Sequence, residues 1–292
     1  GLTNNRGVEA ERKSVFMECK RVSGALGGLI TGVDLTAPLS AAVLGDLKQA
    51  LLEHQVLFFR NQALSPEQHM ALATAFGEPQ YHEAYPHAAG FPAITILEND
   101  RDNPSKIEVW HTDMTFRACP PLGSILHGQS IPERGGDTLF ASLSAAYESL
   151  SQIMKDLLEN LVAIHDFSFG FKESLAEPGG RDRLAQMVID NPPVEHPVVI
   201  THPESGARGI YVNPLFTARI KGLQKTESDA LLNFLFAHMI LPEHTCRFTW
   251  EKDSIAFWDN RITQHKPVND YWPQSRKMQR ITVDQGLRPS QR

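Results

Sequence analysis

Cysteine is scarce here: Cys19, Cys119 and Cys246 are the only three among 292 residues, and they lie far apart. An odd, scattered set excludes a disulfide framework and fits a reducing compartment, so we expect the cytoplasm. Long apolar runs are missing as well. No stretch approaches the roughly 18 residues a membrane-spanning helix needs, so no membrane partner is expected. Positive charge is in deficit: 28 Lys and Arg against 34 Asp and Glu leave a net charge of −6, with a pI near 6.1. That balance removes electrostatic support for a nucleic-acid partner. Residues 1–13 are polar and lack the apolar segment of a signal peptide. Internal repeats, low-complexity tracts and clean linkers are also missing, so we expect an N-terminal arm over 1–18 and a single domain over 19–292. What is present, 41% apolar and 21% charged residues, suffices for a sizeable core.

Hydrophobic spacing alternates between short strands and a few helices. Residues 19–33 mix small apolar side chains with glycines, which suggests short strands and turns. Val43, Leu44, Leu47, Ala50 and Leu51 recur at helical spacing within 40–53, and 55–60 reads as a buried strand. Ser65, Pro66 and Gln68 spell a helix start, and Gly77 its stop. Strands are expected at 93–97, 124–127, 139–140, 198–200, 209–212, 246–250, 254–258 and 280–283. Helices are expected over 142–150 and 152–162, and after a cap at Thr226. Residues 165–192 show no clear period, a long excursion of the kind that carries a lid or binding loop.

The chemistry concentrates at Trp110-His111-Thr112-Asp113-Met114-Thr115-Phe116. In an extended segment His111 and Asp113 share a face, because strand side chains alternate. With one distant His, such a pair forms the 2-His-1-carboxylate facial triad of non-haem Fe(II). His111 capping a turn and Asp113 pairing with Arg117 is the plainer alternative. Among the remaining histidines, His265 stands apart, ending the run from Phe257 through Trp258, Asp259, Asn260 and Arg261. Farther on, Arg276, Met278, Arg280 and Thr282 share one strand face, while Ile281 and Val283 share the other. Two guanidiniums on an inward face are costly unless they meet anions, so two carboxylate- or sulfonate-sized groups are expected there. A basic strand edge facing water is the other possibility.

Taken together, Trp110-His111-Thr112-Asp113 with Thr115-Phe116, then Gly135-Gly136-Asp137-Thr138, then Trp258-Asp259-Asn260-Arg261 with Thr263 and His265, then Arg276 with Arg280, resemble the taurine dioxygenase (TauD/TfdA) family of Fe(II)/2-oxoglutarate oxygenases. The likeness runs from about Val22 to Leu287. It implies a mixed α+β, mainly β fold: a double-stranded β-helix, or jelly roll, with flanking helices. It further implies that His111, Asp113 and His265 bind iron, and that Thr138 and Arg276 hold the distal carboxylate of 2-oxoglutarate. Arg280, His82 and Tyr85 would bind the anionic end of the substrate, with Phe116 and Phe216 as pocket walls. The implied reaction consumes O2 and 2-oxoglutarate, releases succinate and CO2, and hydroxylates a small organic anion. Taurine or another alkyl sulfonate would then collapse to an aldehyde and sulfite; alkyl sulfates and aryloxyalkanoates are the alternatives.

Two departures bear on substrate. Taurine dioxygenase proper carries an Asn where this chain has Ile107 and a Ser where it has Gly170, and both losses remove contacts to an amine. Outside this class, a non-catalytic jelly-roll anion binder has no need of all four of His111, Asp113, His265 and Arg276. A zinc hydrolase would use the two His and the Asp but leaves Thr138 and Arg276 unexplained. We also expect a homo-oligomer.

Overall fold

The computed structural model describes residues 16–81 and 86–292; the expected arm over 1–18 falls almost wholly outside them. Strands whose two faces are both apolar build the centre. Val56–Phe59 and Ile255–Asp259 are buried at every position and pair antiparallel. They belong to a nine-stranded sheet whose main path runs Glu18–Arg21, Gly28–Thr31, Val56–Phe59, Ile255–Asp259, Gly123–Ser130, Arg276–Asp284, Phe91–Asn99 and His87–Ala88. A second sheet of Thr245–Phe248, Thr138–Ser142 and Thr263–Pro267 faces it, and the two close into the jelly roll.

Alternation along these strands sorts residues between two cores. Val56, Phe58, Leu126, Ala256, Trp258 and Met278 point into the roll and meet Phe140 and Phe248 from the second sheet and Trp250 just beyond it. Leu57, Phe59, Ile125, Phe257, Ile281 and Val283 point outward and are covered by the helices Ala41–His54 and Pro66–Phe76. The face division expected for 276–283 is therefore correct: Met278 is inside with the even-numbered residues, and Ile281 and Val283 are under the helices. Ser40 caps the first helix by accepting from Val43 N. Ser65 and Gln68 form a full capping box on the second. Gly77 ends that helix where an added Cβ would stand 2.7 Å from Asp284 O, so the close approach requires glycine.

Three expectations need correction. The helix expected over 152–162 stops at Leu158; Asn160 turns the chain with φ +66° and Val162–His165 is a strand. The helix expected to start from a Thr226 cap runs Lys225–Met239, with Gln224 as cap and Glu227 completing the capping box. The 165–192 excursion is not irregular but holds three helices, Phe167–Gly170, Lys172–Ala176 and Gly180–Asp190. The first two, of 4 and 5 residues, are too short to show a period. A third sheet, Val194–Pro197, Val162–His165 and Thr217–Ile220, adjoins them, and Val199–Thr201 pairs with Arg208–Ile210. The three cysteines are unpaired thiols. Among the described residues no helix is long and apolar enough to cross a membrane.

Candidate active site

The Trp110–Phe116 stretch is not a strand. His111 alone makes an antiparallel bridge, to His265, with both peptide hydrogen bonds formed: His111 N to His265 O at 3.0 Å and the return bond at 2.9 Å. From Asp113 the chain turns, Met114 taking φ +55°. The convergence expected from strand alternation is reached through this bridge and turn. His111 Nε2 lies 3.3 Å and His265 Nε2 3.5 Å from Asp113 Oδ1, so Asp113 faces two imidazoles rather than pairing with Arg117. The three ligand atoms fall within 4.8 Å of one another, and all three residues are buried.

Several features suit this group to a metal ion. The Val109 carbonyl, 3.0 Å from His111 Nδ1, can only accept. The ring proton therefore sits on Nδ1 and leaves the Nε2 lone pair facing Asp113. Asp113 Oδ2 is buried with no hydrogen-bond partner, an arrangement that is costly until a cation meets it. Burial alone would push the Asp113 carboxyl up, but the positive charge that the His265 and His111 rings would carry when protonated, with that of Arg280, outweighs it and holds the group well below the carboxylate range. Burial pushes His265 down to about 3, against the pull of Asp113, which keeps it neutral as a ligand must be. Two neutral imidazoles and one carboxylate on one side of a point match the donor set of non-haem Fe(II).

Motif residues with no role assigned from sequence hold this geometry, together with His165, His196 and Asn213 from outside the motifs. Asn260, fully buried, accepts from Asp113 N at 2.8 Å and donates back to Asp113 O at 2.9 Å. Thr112 Oγ1 donates to Thr263 O at 2.9 Å. Behind the turn, Thr115 Oγ1 accepts from Asn213 Nδ2 at 3.0 Å and meets His165 Nδ1 at 2.8 Å, while His196 Nε2 donates to Thr115 O at 2.7 Å. The buried His and Asn types were a visible signal; their partners, far along the chain, were not.

Arg276 and Arg280 rise from one strand on the face that lines the roll. Neither makes an ion pair to a protein carboxylate among the described residues, and the Nε of each is buried without a partner. Asp137, the carboxylate whose charge reaches Arg276, is already taken: it accepts from Arg247 Nε at 2.7 Å and Thr249 Oγ1 at 3.2 Å. Arg280 is near enough to Asp113 and His265 to influence both electrostatically. Thr138 is buried on the facing sheet. Phe116 packs on Phe216 and Phe167, with ring centroids 5.0 and 5.2 Å away, in a cluster joined by Met114, Phe171, Leu184, Met187 and Val188. Ile107 is exposed, and a Cβ on Gly170 would stand 2.5 Å from the Phe216 ring. His82 and Tyr85 lie outside the described residues.

A jelly roll with a buried His-Asp-His group beside two unpaired guanidiniums defines a metal-dependent enzyme that handles anions. The family model described as taurine catabolism dioxygenase TauD, TfdA family matches residues 20–282. An alkylsulfatase of Acinetobacter baylyi is 37% identical over 271 residues, covering 91% of this chain and 84% of that protein. An alpha-ketoglutarate-dependent sulfate ester dioxygenase of Pseudomonas putida is 33% identical, covering 96% and 93%. A crystal structure of a taurine dioxygenase from Burkholderia xenovorans superposes with a TM-score of 0.80 at 36% identity, covering 94% of this chain and 90% of that one. The chain belongs to the TauD/TfdA family of 2-oxoglutarate-dependent dioxygenases, enzymes that use Fe(II), 2-oxoglutarate and O2.

Proposed function

We propose that residues 19–292 act as one dioxygenase domain that oxidises an alkyl sulfate or alkyl sulfonate at the carbon bearing the anionic group. The observation that carries this reading is the pair Arg276 and Arg280: two guanidiniums on the inward strand face, neither in an ion pair with a protein carboxylate among the described residues, with Arg280 in electrostatic reach of Asp113 and His265. One anion is the cosubstrate's and the other is the substrate's. Relatives named for sulfate esters and alkyl sulfates favour a sulfur oxyanion for the second. The apolar wall around Phe116 and Phe216 favours an alkyl chain, and neither Ile107 nor Gly170 offers an amine a partner. Taurine is therefore a poorer substrate than an uncharged-tail analogue.

His111, Asp113 and His265 would hold Fe(II), and the chemistry the ion would supply there is the activation of O2 with 2-oxoglutarate. Arg276 holds the distal carboxylate of 2-oxoglutarate by charge-assisted hydrogen bonds, and Thr138 adds a hydroxyl donor. Arg280 holds the sulfur oxyanion, with His82 and Tyr85 assisting. The Phe116 cluster excludes water and fixes the alkyl chain, so that one carbon is presented for attack. The reaction balances as 2-oxoglutarate, O2 and R–CH2–OSO3− giving succinate, CO2 and R–CH(OH)–OSO3−, which falls apart to R–CHO and hydrogen sulfate. A sulfonate follows the same course and yields sulfite.

Succinate release with Fe(II), measured across hexyl sulfate, hexanesulfonate, taurine and an aryloxyalkanoate, tests the reading. Hexyl sulfate and hexanesulfonate should exceed taurine in kcat/KM. Strict taurine selectivity would overturn the substrate assignment. Succinate formation with Zn(II) in place of Fe(II) would overturn the reaction.

A further inference from the structure

Trp250 belongs neither to the metal group nor to the pair assigned to the cosubstrate, yet it contacts both members of that pair. It lies just past the Thr245–Phe248 strand, whose last residue pairs with Thr138, and it is 4% exposed. Its Nε1–H donates to Thr138 Oγ1 at 3.0 Å. The Arg276 guanidinium carbon stands 5.9 Å from the Trp250 ring centroid and 5.9 Å from that of Tyr271. Gly136, at φ +76°, completes the slot: a Cβ there would press on Arg276 Cδ and Nε at 3.3 Å. Arg276 is thus held by two rings and a bare backbone, with Asp137 already occupied.

The direction of the Trp250 bond matters. An indole N–H can only donate, and a hydroxyl has one proton and two acceptor sites. Thr138 Oγ1 is therefore the acceptor, and its own proton has no protein acceptor among the described residues. We propose that Trp250 is a positioning residue for the 2-oxoglutarate carboxylate: it holds Thr138 so that the hydroxyl proton is presented to an anion, and its ring face holds Arg276 beside it. This rests on the reading that Thr138 and Arg276 bind that carboxylate. A Trp250 that only fills the core, where it also packs on Phe248 at 4.9 Å, would not depend on Thr138.

Anaerobic calorimetry separates these roles without turnover. The probe is N-oxalylglycine, an unreactive isostere of 2-oxoglutarate, titrated into Mn(II)-loaded protein. Trp250→Phe keeps a ring over Arg276 but removes the N–H, and Thr138→Val keeps the shape but removes the hydroxyl. Trp250→Phe should weaken binding roughly three- to ten-fold, the loss of one hydrogen bond. In the Thr138→Val background it should cost nothing more, and Mn(II) affinity should stay unchanged in every variant. Unchanged binding in Trp250→Phe overturns the proposal, as does an equal loss in both backgrounds. If Thr138→Val and Arg276→Ala both bind the probe as wild type, the cosubstrate reading fails and takes the proposal with it. Should Trp250→Phe fold poorly, the benzothienyl isostere of Trp at position 250 keeps the bicycle, lacks the N–H and gives the same comparison.

Discussion

Asn260 treats Asp113 as a neighbouring strand would, taking its N–H and returning a donor to its carbonyl. That contact fixes the backbone of the carboxylate ligand at the point where Met114 turns with φ +55°. Asn260→Ala should therefore weaken metal binding about ten- to a hundred-fold, the usual effect of losing a group that orients a ligand. An anaerobic Co(II) titration reads this directly, and wild-type affinity would disprove the role. Arg276→Ala should raise the KM for 2-oxoglutarate by about ten- to a hundred-fold, the loss of a charged hydrogen bond, with Co(II) affinity unchanged. Arg280→Ala should abolish substrate-stimulated succinate release while slow uncoupled release persists. Equal effects of the two Arg variants on 2-oxoglutarate would show that they share one anion. At this scale the ligands were legible because His, Asp and Arg carry their chemistry in their identity. The role of Asn260 was not, although the residue stands in the 258–261 motif, because its partner is 147 residues away in sequence and an Asn's identity does not say which backbone it holds.

Elements with marked ends were readable and short ones were not. Ser65 announces its helix because a hydroxyl at that place satisfies backbone N–H groups otherwise left open. The three helices within 165–192 span 4, 5 and 11 residues. The first two are too short to show a period, and the third hides its apolar side chains among charged ones. Yet this excursion supplies Phe167, Phe171, Leu184, Met187 and Val188 to the aromatic cluster. Its fit against Thr217–Ile220 depends on Gly170, whose bare Cα makes room for the Phe216 ring. Gly170→Ala would force that ring to move, at a cost of about 1–3 kcal/mol for an overpacked site. A lower melting temperature and a shift toward shorter alkyl chains in the sulfate panel are the expected outcomes. If both stay as in wild type, the Phe216 ring does not set the depth of the pocket.

For the molecule as a whole, a dry interior that makes the metal site also makes acid a threat. Burial pushes His69 down to about 3 and lowers His127, His165 and His196 as well. Each takes up its proton at a lower pH when folded than when unfolded, where an imidazole titrates near pH 6.5. The unfolded chain therefore binds more protons as pH falls below about 6.5, and stability declines from there downward. Asp259 adds a second, lower window. Burial works against its charge, yet His202 and Arg261 win and hold its carboxyl down. Its contribution is present above the ordinary carboxylate value and is lost as pH falls through the folded one. Urea midpoints should thus be level above about pH 7 and fall steadily from pH 6.5 to 4. His69 accounts for one proton of that slope, about a factor of ten in the folding equilibrium constant per pH unit. Its Nε2 meets only the Ile125 carbonyl, at 3.1 Å, a bond that a Gln amide can also donate. His69→Gln should accordingly flatten the acid limb by up to one proton while leaving succinate release at pH 7.5 intact. A limb as steep as wild type would mean that His69 is already charged in the folded protein, and that the outer core is wetter than its packing implies.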